Sequence, residues 1–158
     1  KHKKIIEDEI KNLTDNFLIL RSSKIYGLKR GDGTILDEVA NLLSQKKKVL
    51  AADDQYFNPT FIDNLIQAIM KIQEKDLKGY LNVSSPEIWS RFEMHTKLTQ
   101  VMNGNSNSIK KIKLYDIPAM KGRPLNTSMV CNRLNKETDS TFIPLKDAIN
   151  IVANNYSK

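Results

Sequence analysis

Helix-type and strand-type patterns of apolar residues alternate along almost the whole of this chain. Apolar residues spaced three and four apart predict helices over 3–13, 35–48, 63–74, 90–102 and 144–156. Short apolar runs between them predict strands over 17–20, 49–52, 80–83 and 112–114. Regular alternation of this kind indicates an α/β fold with a largely parallel sheet.

The apolar positions also predict which faces of these elements are buried. The continuous run Phe17–Leu20 is typical of a strand that is covered on both faces. Leu114 is expected in a half-exposed strand, because apolar residues alternate there with lysines. In the third helix, four positions at helical spacing are expected to face inward: Leu65, Ile66, Ile69 and Met70.

Polar residues indicate where two of the helices begin. Thr34, with Asp37 three residues later, suits the start of the second helix. Ser90 and Glu93 have the spacing of a capping box at the start of the fourth helix. Two further segments show no helix or strand period and are expected to be irregular: 53–59 and 118–140.

The composition excludes several classes of protein. With 158 residues, 40% of them apolar, the chain is long enough for one domain with its own core. No apolar run approaches the ~18–20 residues of a membrane span, so no membrane partner is expected. Cys131 is the only cysteine, which excludes an internal disulfide and a cysteine-built zinc site. A reducing cytoplasm is the simplest location for such a chain.

The net charge of +7 favours an anionic partner, although a solvated lysine-rich surface explains the same excess. Lys outnumbers Arg by 20 to 5 and is spread along the chain. A nucleic-acid-binding domain would need clustered Arg and exposed aromatic residues. Because Trp89 and Phe92 fit core or capping positions instead, no nucleic-acid partner is expected.

Ligands of parallel sheets bind beyond the carboxyl ends of the strands. Four loops are therefore of interest: 21–34, 53–62, 84–90 and 115–135. In the first loop, Ser22 and Ser23 beside Arg21 suit an amide or a phosphate, and a simple strand-end turn is the alternative.

The later loops carry further candidates. Gln55 is favoured as a hydrogen-bonding contact over a metal site at Asp53 and Asp54, because adjacent Asp side chains usually point apart. Arg123 suits a phosphate held by two hydrogen bonds, and a surface ion pair is the alternative. His95 is expected at an interface or partly buried rather than as a catalyst.

Three segments, in order and on the expected elements, resemble a known family. They are Arg21–Gly27 (RSSKIYG), Asp54–Thr60 (DQYFNPT) and Arg123–Thr127 (RPLNT). They resemble the C-terminal half of extended short-chain dehydrogenases/reductases, and most of all the dTDP-4-dehydrorhamnose reductase group of nucleotide-sugar reductases and epimerases. The resemblance spans nearly the whole chain. It implies the C-terminal part of a Rossmann-like parallel sheet plus a small substrate-binding α/β lobe.

The resemblance also implies a catalytic residue. The family's Tyr-x-x-x-Lys motif often continues to a Glu four residues after the Lys, and Lys3 and Glu7 match that tail. The tyrosine, which is the family's proton donor, would then precede Lys1 by two residues. The glycine-rich dinucleotide fingerprint would lie further upstream. We therefore expect this chain to be the C-terminal portion of a longer enzyme and to be inactive by itself.

The resemblance divides the other candidates into two groups. Three residues are implied to contact the cofactor, NADPH or NADH: Lys3, Ser22 and Ser23. Four residues are implied to line the nucleotide-sugar side: Lys24, Gln55, Thr60 and Arg123. Arg123 would bind the diphosphate, and no metal is expected. Lys24 departs from the aromatic residue often found at its position, so the identity of the sugar is left open.

The implied function is that of an NAD(P)-dependent nucleotide-sugar oxidoreductase of the 4-keto-sugar reductase type. An epimerase or dehydratase on the same scaffold, or a non-catalytic nucleotide-sugar or regulatory binding module, are the alternatives, and a homodimer is left open. The implied layout has three parts: 1–34 with 49–83 as the remainder of the cofactor-domain sheet and helices, 84–142 mostly as the substrate-binding lobe, and 143–158 as the C-terminal helix.

Overall fold

The computed structural model of the protein describes residues 2–157, with the exception of the Ser106 side chain. Lys1 begins the first expected segment and Lys158 ends the last one, and both lie outside the described residues. The α-helices are α1 (His2–Leu13), α2 (Ile35–Ser44), α3 (Ile62–Gln73), α4 (Arg91–Val101), α5 (Asn132–Glu137) and α6 (Leu145–Tyr156). The strands are β1 (Leu18–Ser22), β2 (Ile25–Tyr26), β3 (Val49–Ala52), β4 (Tyr56–Phe57), β5 (Thr60–Phe61), β6 (Gly79–Val83), β7 (Trp89–Ser90) and β8 (Ile109–Ile112). No helix of the described part is long and apolar enough to cross a membrane.

Parallel pairing dominates the sheet structure. β1 runs parallel to β6, from Leu18 beside Gly79 to Ser22 beside Val83. β2 pairs with β5 and β3 with β8, also in parallel, whereas the short strands β4 and β7 are antiparallel. The prediction of an α/β fold with mainly parallel pairing is therefore confirmed, although the strands form four separate pairs rather than one continuous sheet.

Buried apolar residues form two cores. The helical core lies where α2, α4 and α6 pack together, and consists of Tyr26, Ile35, Leu36, Val39, Ala40, Val49, Phe57, Met94, Leu98, Leu145, Ala148, Ile149, Val152 and Ala153. The sheet core lies where the β1–β6 pair meets α3 and α5, and consists of Leu65, Ala68, Ile72, Leu81, Val83, Cys131 and Leu134. Removal of these side chains from water is the main driving force for folding of both regions.

β1 is less buried than its sequence predicts. Leu18, Ile19 and Leu20 are half-buried, and the strand is exposed at Arg21 and Ser22. The expectation of burial on both faces is therefore wrong. Among residues 2–157, β1 has one neighbouring strand, β6, and the helix that precedes it, α1, has no buried residue. An apolar strand is covered on both faces only where other elements pack on both sides of it.

The start of α2 is correctly located, but its polar residues act differently from a simple cap. Thr34 occupies the N-cap position, yet its hydroxyl accepts a hydrogen bond from the Gly27 N–H (3.1 Å) and caps no helical N–H. The Asp37 carboxylate accepts from the Gly31 and Gly33 N–H groups at 2.7 and 2.9 Å. Both glycines have positive φ, which turns the preceding loop back over the helix start.

α3 is rotated relative to the expected orientation. Ile66 and Met70 are exposed, so the prediction that they face inward is wrong, while Leu65 is buried as expected. Ala68 and Ile72 complete the buried face. Leu65, Ala68 and Ile72 lie three and four apart, and this stripe belongs to the sheet core.

Three further local expectations are corrected and one is confirmed. Leu114 is buried in a 3₁₀ turn after β8 and is not part of the strand. The segments 53–59 and 118–140 are not wholly irregular, because they contain β4 and α5. The capping box of α4 is confirmed: the Ser90 hydroxyl accepts from the Glu93 N–H at 3.1 Å, and Glu93 accepts from the Ser90 N–H at 2.8 Å.

Candidate functional site

Asn58, between β4 and β5, is the centre of the hydrogen bonds that join the loops. It is fully buried, and its side-chain amide donates to the carbonyl oxygens of Ser85 (3.0 Å) and Glu87 (3.2 Å). Its side-chain oxygen accepts from the Met129 N–H at 2.6 Å, and its backbone N–H donates to Ser23 Oγ at 3.1 Å. One residue thus joins the loops after β1, β4 and β6 to the segment before α5.

The first two motif segments are also joined directly. The Thr60 N–H donates to the Lys24 carbonyl at 2.9 Å, where the β2–β5 pair begins. The Thr60 hydroxyl donates to the Asn58 carbonyl (3.1 Å) and accepts from the Ser85 N–H (3.2 Å). Thr60 is fully buried, so its hydrogen bonds connect these loops in the interior, whereas Lys24 is exposed.

The third motif segment joins the other two through β4. The Tyr56 N–H donates to the Leu125 carbonyl at 2.7 Å, and the Thr127 N–H donates to the Tyr56 carbonyl at 2.9 Å. These bonds form a parallel bridge between Tyr56 and Asn126, while Tyr56 pairs with Ser90 of β7 on its other side. All three segments that carry the family resemblance therefore meet in space.

Gln55 lies immediately before β4, and its side chain is directed toward Arg91. Its side-chain oxygen accepts from Arg91 Nε at 2.8 Å, and its carbonyl accepts from the Arg91 N–H at 3.0 Å. Burial lowers the pKa of Arg91 below its usual value, Glu38 opposes this, and the nearby Arg123 guanidinium lowers it further. Arg123 is exposed, and its carbonyl accepts from the Tyr115 hydroxyl at 3.2 Å.

Lys3 and Ser22 lie outside this network of hydrogen bonds. Lys3 is exposed on α1, in a shallow groove against β1, and Ser22 is exposed at the end of β1. Glu7, one turn after Lys3, accepts from Arg21 Nε at 2.9 Å, and this hydrogen bond lowers the pKa of Glu7. The ion pair fixes the helix that carries Lys3 to the strand that ends at Ser22.

The adjacent aspartates after β3 have different partners. Asp53 forms ion pairs with Lys111 and Lys113, each at 2.9 Å, and hydrogen bonds from both lysines lower its pKa. Asp54 accepts from the Leu114 N–H at 2.8 Å. Both side chains therefore tie β3 to β8 and the turn after it. The described residues contain no group of three or more His, Cys, Asp or Glu placed to hold a metal ion.

His95 and Cys131 are both buried. Burial, together with Arg91 one turn earlier, lowers the pKa of His95 to about 3. Neither ring nitrogen of His95 has a hydrogen-bond partner within residues 2–157. His95 is therefore a neutral residue, more deeply buried than the sequence predicts. Cys131 belongs to the sheet core, with its Sγ 3.2 Å from Ser84 Oγ.

A mostly apolar cleft of about 580 Å³ adjoins the β2–β5 pair. Two of its lining residues, Tyr26 and Phe61, stack with ring centroids 5.9 Å apart. The loop 27–33 contributes further lining residues, and the carboxylate of Asp37 holds this loop in place. Tyr156 of α6 donates its hydroxyl to the same carboxylate; burial and this bond raise the pKa of Tyr156 to about 12. The C-terminal helix thus supports the wall of the cleft.

Sequence reasoning missed two residues of this site, Asn58 and Arg91. The one local signal for Asn58 is its position before Pro59, which restricts its backbone but says nothing of its hydrogen-bond partners. Arg91 follows the capping residue Ser90, and a helix-start pattern does not show a partner 36 residues away. Both residues become visible only when the register of β4 with its neighbours is known.

Sequence comparisons identify relatives of this chain. The family model described as the RmlD substrate binding domain matches residues 1–158. The spore coat polysaccharide biosynthesis protein SpsK of Bacillus subtilis is 27% identical over 100 residues, which cover 63% of this chain and 34% of that protein.

Two solved structures share the fold. The dTDP-4-dehydrorhamnose reductase of Yersinia enterocolitica matches with a TM-score of 0.82 at 19% identity, over 98% of this chain and 55% of that one. The dTDP-4-dehydrorhamnose reductase of Bacillus anthracis, in complex with NADP, matches with a TM-score of 0.76 at 23% identity, over 90% of this chain and 50% of that one. The chain therefore spans about half the length of these enzymes. The expected Rossmann-like α/β fold is confirmed.

Proposed function

This chain belongs to the RmlD substrate binding domain family, and we propose that it forms the substrate-binding portion of an NAD(P)-dependent nucleotide-sugar oxidoreductase of the 4-keto-sugar reductase type. The observation that carries the proposal is the meeting of the three motif segments through Asn58 and Tyr56. Residues far apart in sequence form one site at the ends of parallel strands, which is where α/β folds bind nucleotides.

The substrate side of this site combines a rigid interior with exposed cations. The hydrogen bonds of Asn58 and Thr60 fix the loops, because both residues are fully buried and fully bonded. Lys24 and Arg123 are exposed on the same loops and would meet the anionic nucleotide part of the substrate. Much of the 84–142 segment would complete this lobe, and 1–34 with 49–83 would complete the cofactor side.

The cofactor side fits a nicotinamide through Lys3, Ser22 and Ser23. The Lys3 ammonium and the Ser22 hydroxyl have no hydrogen-bond partner among residues 2–157 and are exposed, so both are free to bind the cofactor. The Ser23 hydroxyl already accepts from Asn58 and would link the cofactor side to the substrate side. NADPH or NADH would supply a hydride to the sugar carbonyl when bound.

Lys3 would also assist the transfer of a proton from the family's tyrosine to the carbonyl oxygen of the sugar. An ammonium group beside a phenol favours the phenolate and lowers the phenol's pKa. In the family pattern the tyrosine stands four residues before the lysine, and no residue of the 158 occupies that place. We therefore expect these 158 residues to bind a nucleotide sugar without reducing it.

Titration calorimetry of the chain with dTDP-glucose and UDP-glucose tests the proposal. Saturable binding of one of them is expected, weakened in Lys24→Gln and Arg123→Gln but unchanged in Lys146→Gln, an exposed lysine of α6. Absence of binding to both sugars would overturn the proposed substrate class. Oxidation of NADPH by the chain in the presence of a 4-keto-sugar nucleotide would contradict the expected lack of turnover.

A further inference from the structure

The register of β4 brings two arginines to one end of that strand. β7 runs antiparallel to β4 with Ser90 beside Tyr56, so the residue after Ser90 lies beside the residue before Tyr56. The segment at Asn126 runs parallel to β4, so the residues before Asn126 lie beside those before Tyr56. Arg91 follows Ser90, and Arg123 precedes Asn126 by three residues. Both cations therefore lie at the Gln55 end of β4.

Arg91 is held in place by two bonds to one residue. Gln55 accepts from Arg91 Nε at 2.8 Å through its side chain and from the Arg91 N–H at 3.0 Å through its backbone. The guanidinium also lies over the Phe57 ring, 5.9 Å from its centroid. These contacts use the Nε side of the guanidinium and leave its two terminal nitrogens available to a ligand.

The two guanidinium groups have no anionic partner in the described chain. Within residues 2–157, no carboxylate lies within 4.0 Å of Arg91 or Arg123. Asp53 is already neutralised by two lysines, and Asp54 accepts a backbone N–H. By contrast, Arg21 near β1 is fully paired with Glu7 through two hydrogen bonds.

A half-buried arginine beside a second guanidinium, with no carboxylate within 4.0 Å of either among residues 2–157, is an unfavourable arrangement in the absence of a ligand. Burial is the main cause of the lowered pKa of Arg91; Glu38 raises this pKa without restoring its usual value, and Arg123 lowers it. An anion between the two guanidinium groups removes the repulsion and adds charge-assisted hydrogen bonds, which the planar donor fork of Arg forms in pairs. A diphosphate offers several oxygens and enough charge for two arginines.

We propose that Arg91 and Arg123 together clamp the diphosphate of a nucleotide, and that Gln55 is a positioning residue that orients Arg91 rather than a ligand contact. This inference rests on the proposed function and adds to it a second diphosphate-binding residue and a different role for Gln55. The proposed clamp makes the affinity for a nucleotide depend on its number of phosphates, because both guanidinium groups would bind phosphate oxygens and neither would contact the base or the sugar.

Calorimetric titration of the 158-residue chain with dTDP, dTMP and thymidine tests the clamp, and denaturation curves check the fold of each variant. Arg91→Gln is expected to weaken dTDP binding about 10- to 100-fold, the range for loss of a charged hydrogen bond, with a smaller effect on dTMP and none on thymidine. Arg91→Lys is expected to recover part of this loss, because it keeps the charge without the fork. Lys146→Gln removes one exposed cation and serves as the control.

Gln55→Glu separates positioning from simple stabilisation. The new carboxylate is expected to pair with Arg91, to leave the fold as stable or more stable, and to weaken dTDP binding at least about 10-fold, because the pair competes with the ligand. If Gln55 only supported the fold, dTDP binding would follow stability and would not fall. Equal dTDP binding by wild type, Arg91→Gln and Gln55→Glu would overturn the clamp and leave the proposed function standing.

Inorganic pyrophosphate distinguishes failure of the clamp from failure of the proposed function. Wild-type binding of pyrophosphate that is lost in Arg91→Gln, without binding of dTDP or UDP, would support the clamp and overturn the nucleotide-sugar substrate. If dTDP, UDP and pyrophosphate all fail to bind to the wild-type chain, both proposals are overturned.

Discussion

In the helical core, α2, α4 and α6 cover one another, whereas in the sheet core one side of each flanking helix remains open to solvent. Leu36, Leu98 and Ile149 of the helical core are fully buried. Around the β1–β6 pair, Leu13 of the preceding helix α1 is 81% exposed and Met70 of α3 is 60% exposed. Both regions carry apolar residues at helical spacing, so the pattern alone does not show which faces are covered.

Burial in the two regions is decided by the elements that pack against each helix rather than by composition. A helix that packs against two others buries a wide stripe, because its partners contact it from more than one direction. A helix on a two-stranded sheet buries only the residues that touch the strands, which in α3 are Leu65, Ala68 and Ile72. Ile69 is half-buried beside this stripe, whereas Ile66 and Met70, at the same helical spacing, stay largely in water.

The largest effect is expected when a residue of the helical core is truncated. Leu36→Ala should lower the free energy of unfolding by about 2–5 kcal/mol, because it leaves a cavity among residues that cannot collapse into it. Leu13→Ala, the same change on the exposed face of α1, should change it by no more than about 0.5 kcal/mol. Urea denaturation followed by circular dichroism measures both. Similar losses for the two variants would contradict the contrast between the regions.

A slightly smaller effect is expected at Asn58, which joins the two regions. Asn58→Ala leaves the Met129 N–H and the Ser85 carbonyl without this partner, and should cost about 2–3 kcal/mol. Because the lost bonds connect loops of the sheet core to β4, the unfolding transition should also become broader. Asn135→Ala, on the exposed side of α5, is the matched control. A sharp transition with unchanged stability would show that Asn58 does not couple the two cores.

The order and type of the main elements could be predicted because each depends on local spacing. The alternating pattern predicts α2, β3, α4 and α6, and the spacing of Ser90 and Glu93 predicts the capping box. The same local reasoning fails at β1, Ile66 and Met70, since burial there is decided by what packs against the element. It also misses the two-residue strands β4 and β7, which exist through pairing with distant residues.

The loops of the candidate site could be predicted from local sequence, but the contacts between them could not. The sequence pattern directs attention to loops that do meet, and to Gln55, Thr60 and Arg123 within them. It does not show that Gln55 binds Arg91 or that Thr60 is bonded on all sides, because these contacts span 25 to 36 residues. Whether Lys3, Ser22, Ser23 and Lys24 contact cofactor or substrate stays a prediction.

A pH-dependent effect is expected in the helical region, from His95. Its pKa is about 3 in the folded chain and about 6.5 when unfolded, so below pH 6.5 the unfolded chain binds more protons. Stability is therefore unaffected by His95 above pH 6.5 and falls as the pH is lowered, by about 2 kcal/mol at pH 5. His95→Leu should remove this part of the pH dependence, and His2→Gln, at an exposed position, should not. Equal slopes for wild type and His95→Leu between pH 6.5 and 5 would refute the assignment.

The smallest effect is expected on the open side of α3, and it tests the comparison from the opposite direction. Met70→Gln should change the free energy of unfolding by no more than about 0.5 kcal/mol, because the side chain is already largely in water and both residues favour helices. Ile72→Ala, two residues away on the buried face, should cost about 2 kcal/mol or more. Denaturation at several protein concentrations gives the decisive readout. A loss above 1 kcal/mol for Met70→Gln that grows with protein concentration would mean that a second copy of the chain covers this face, and the sheet region would then be as enclosed as the helical one.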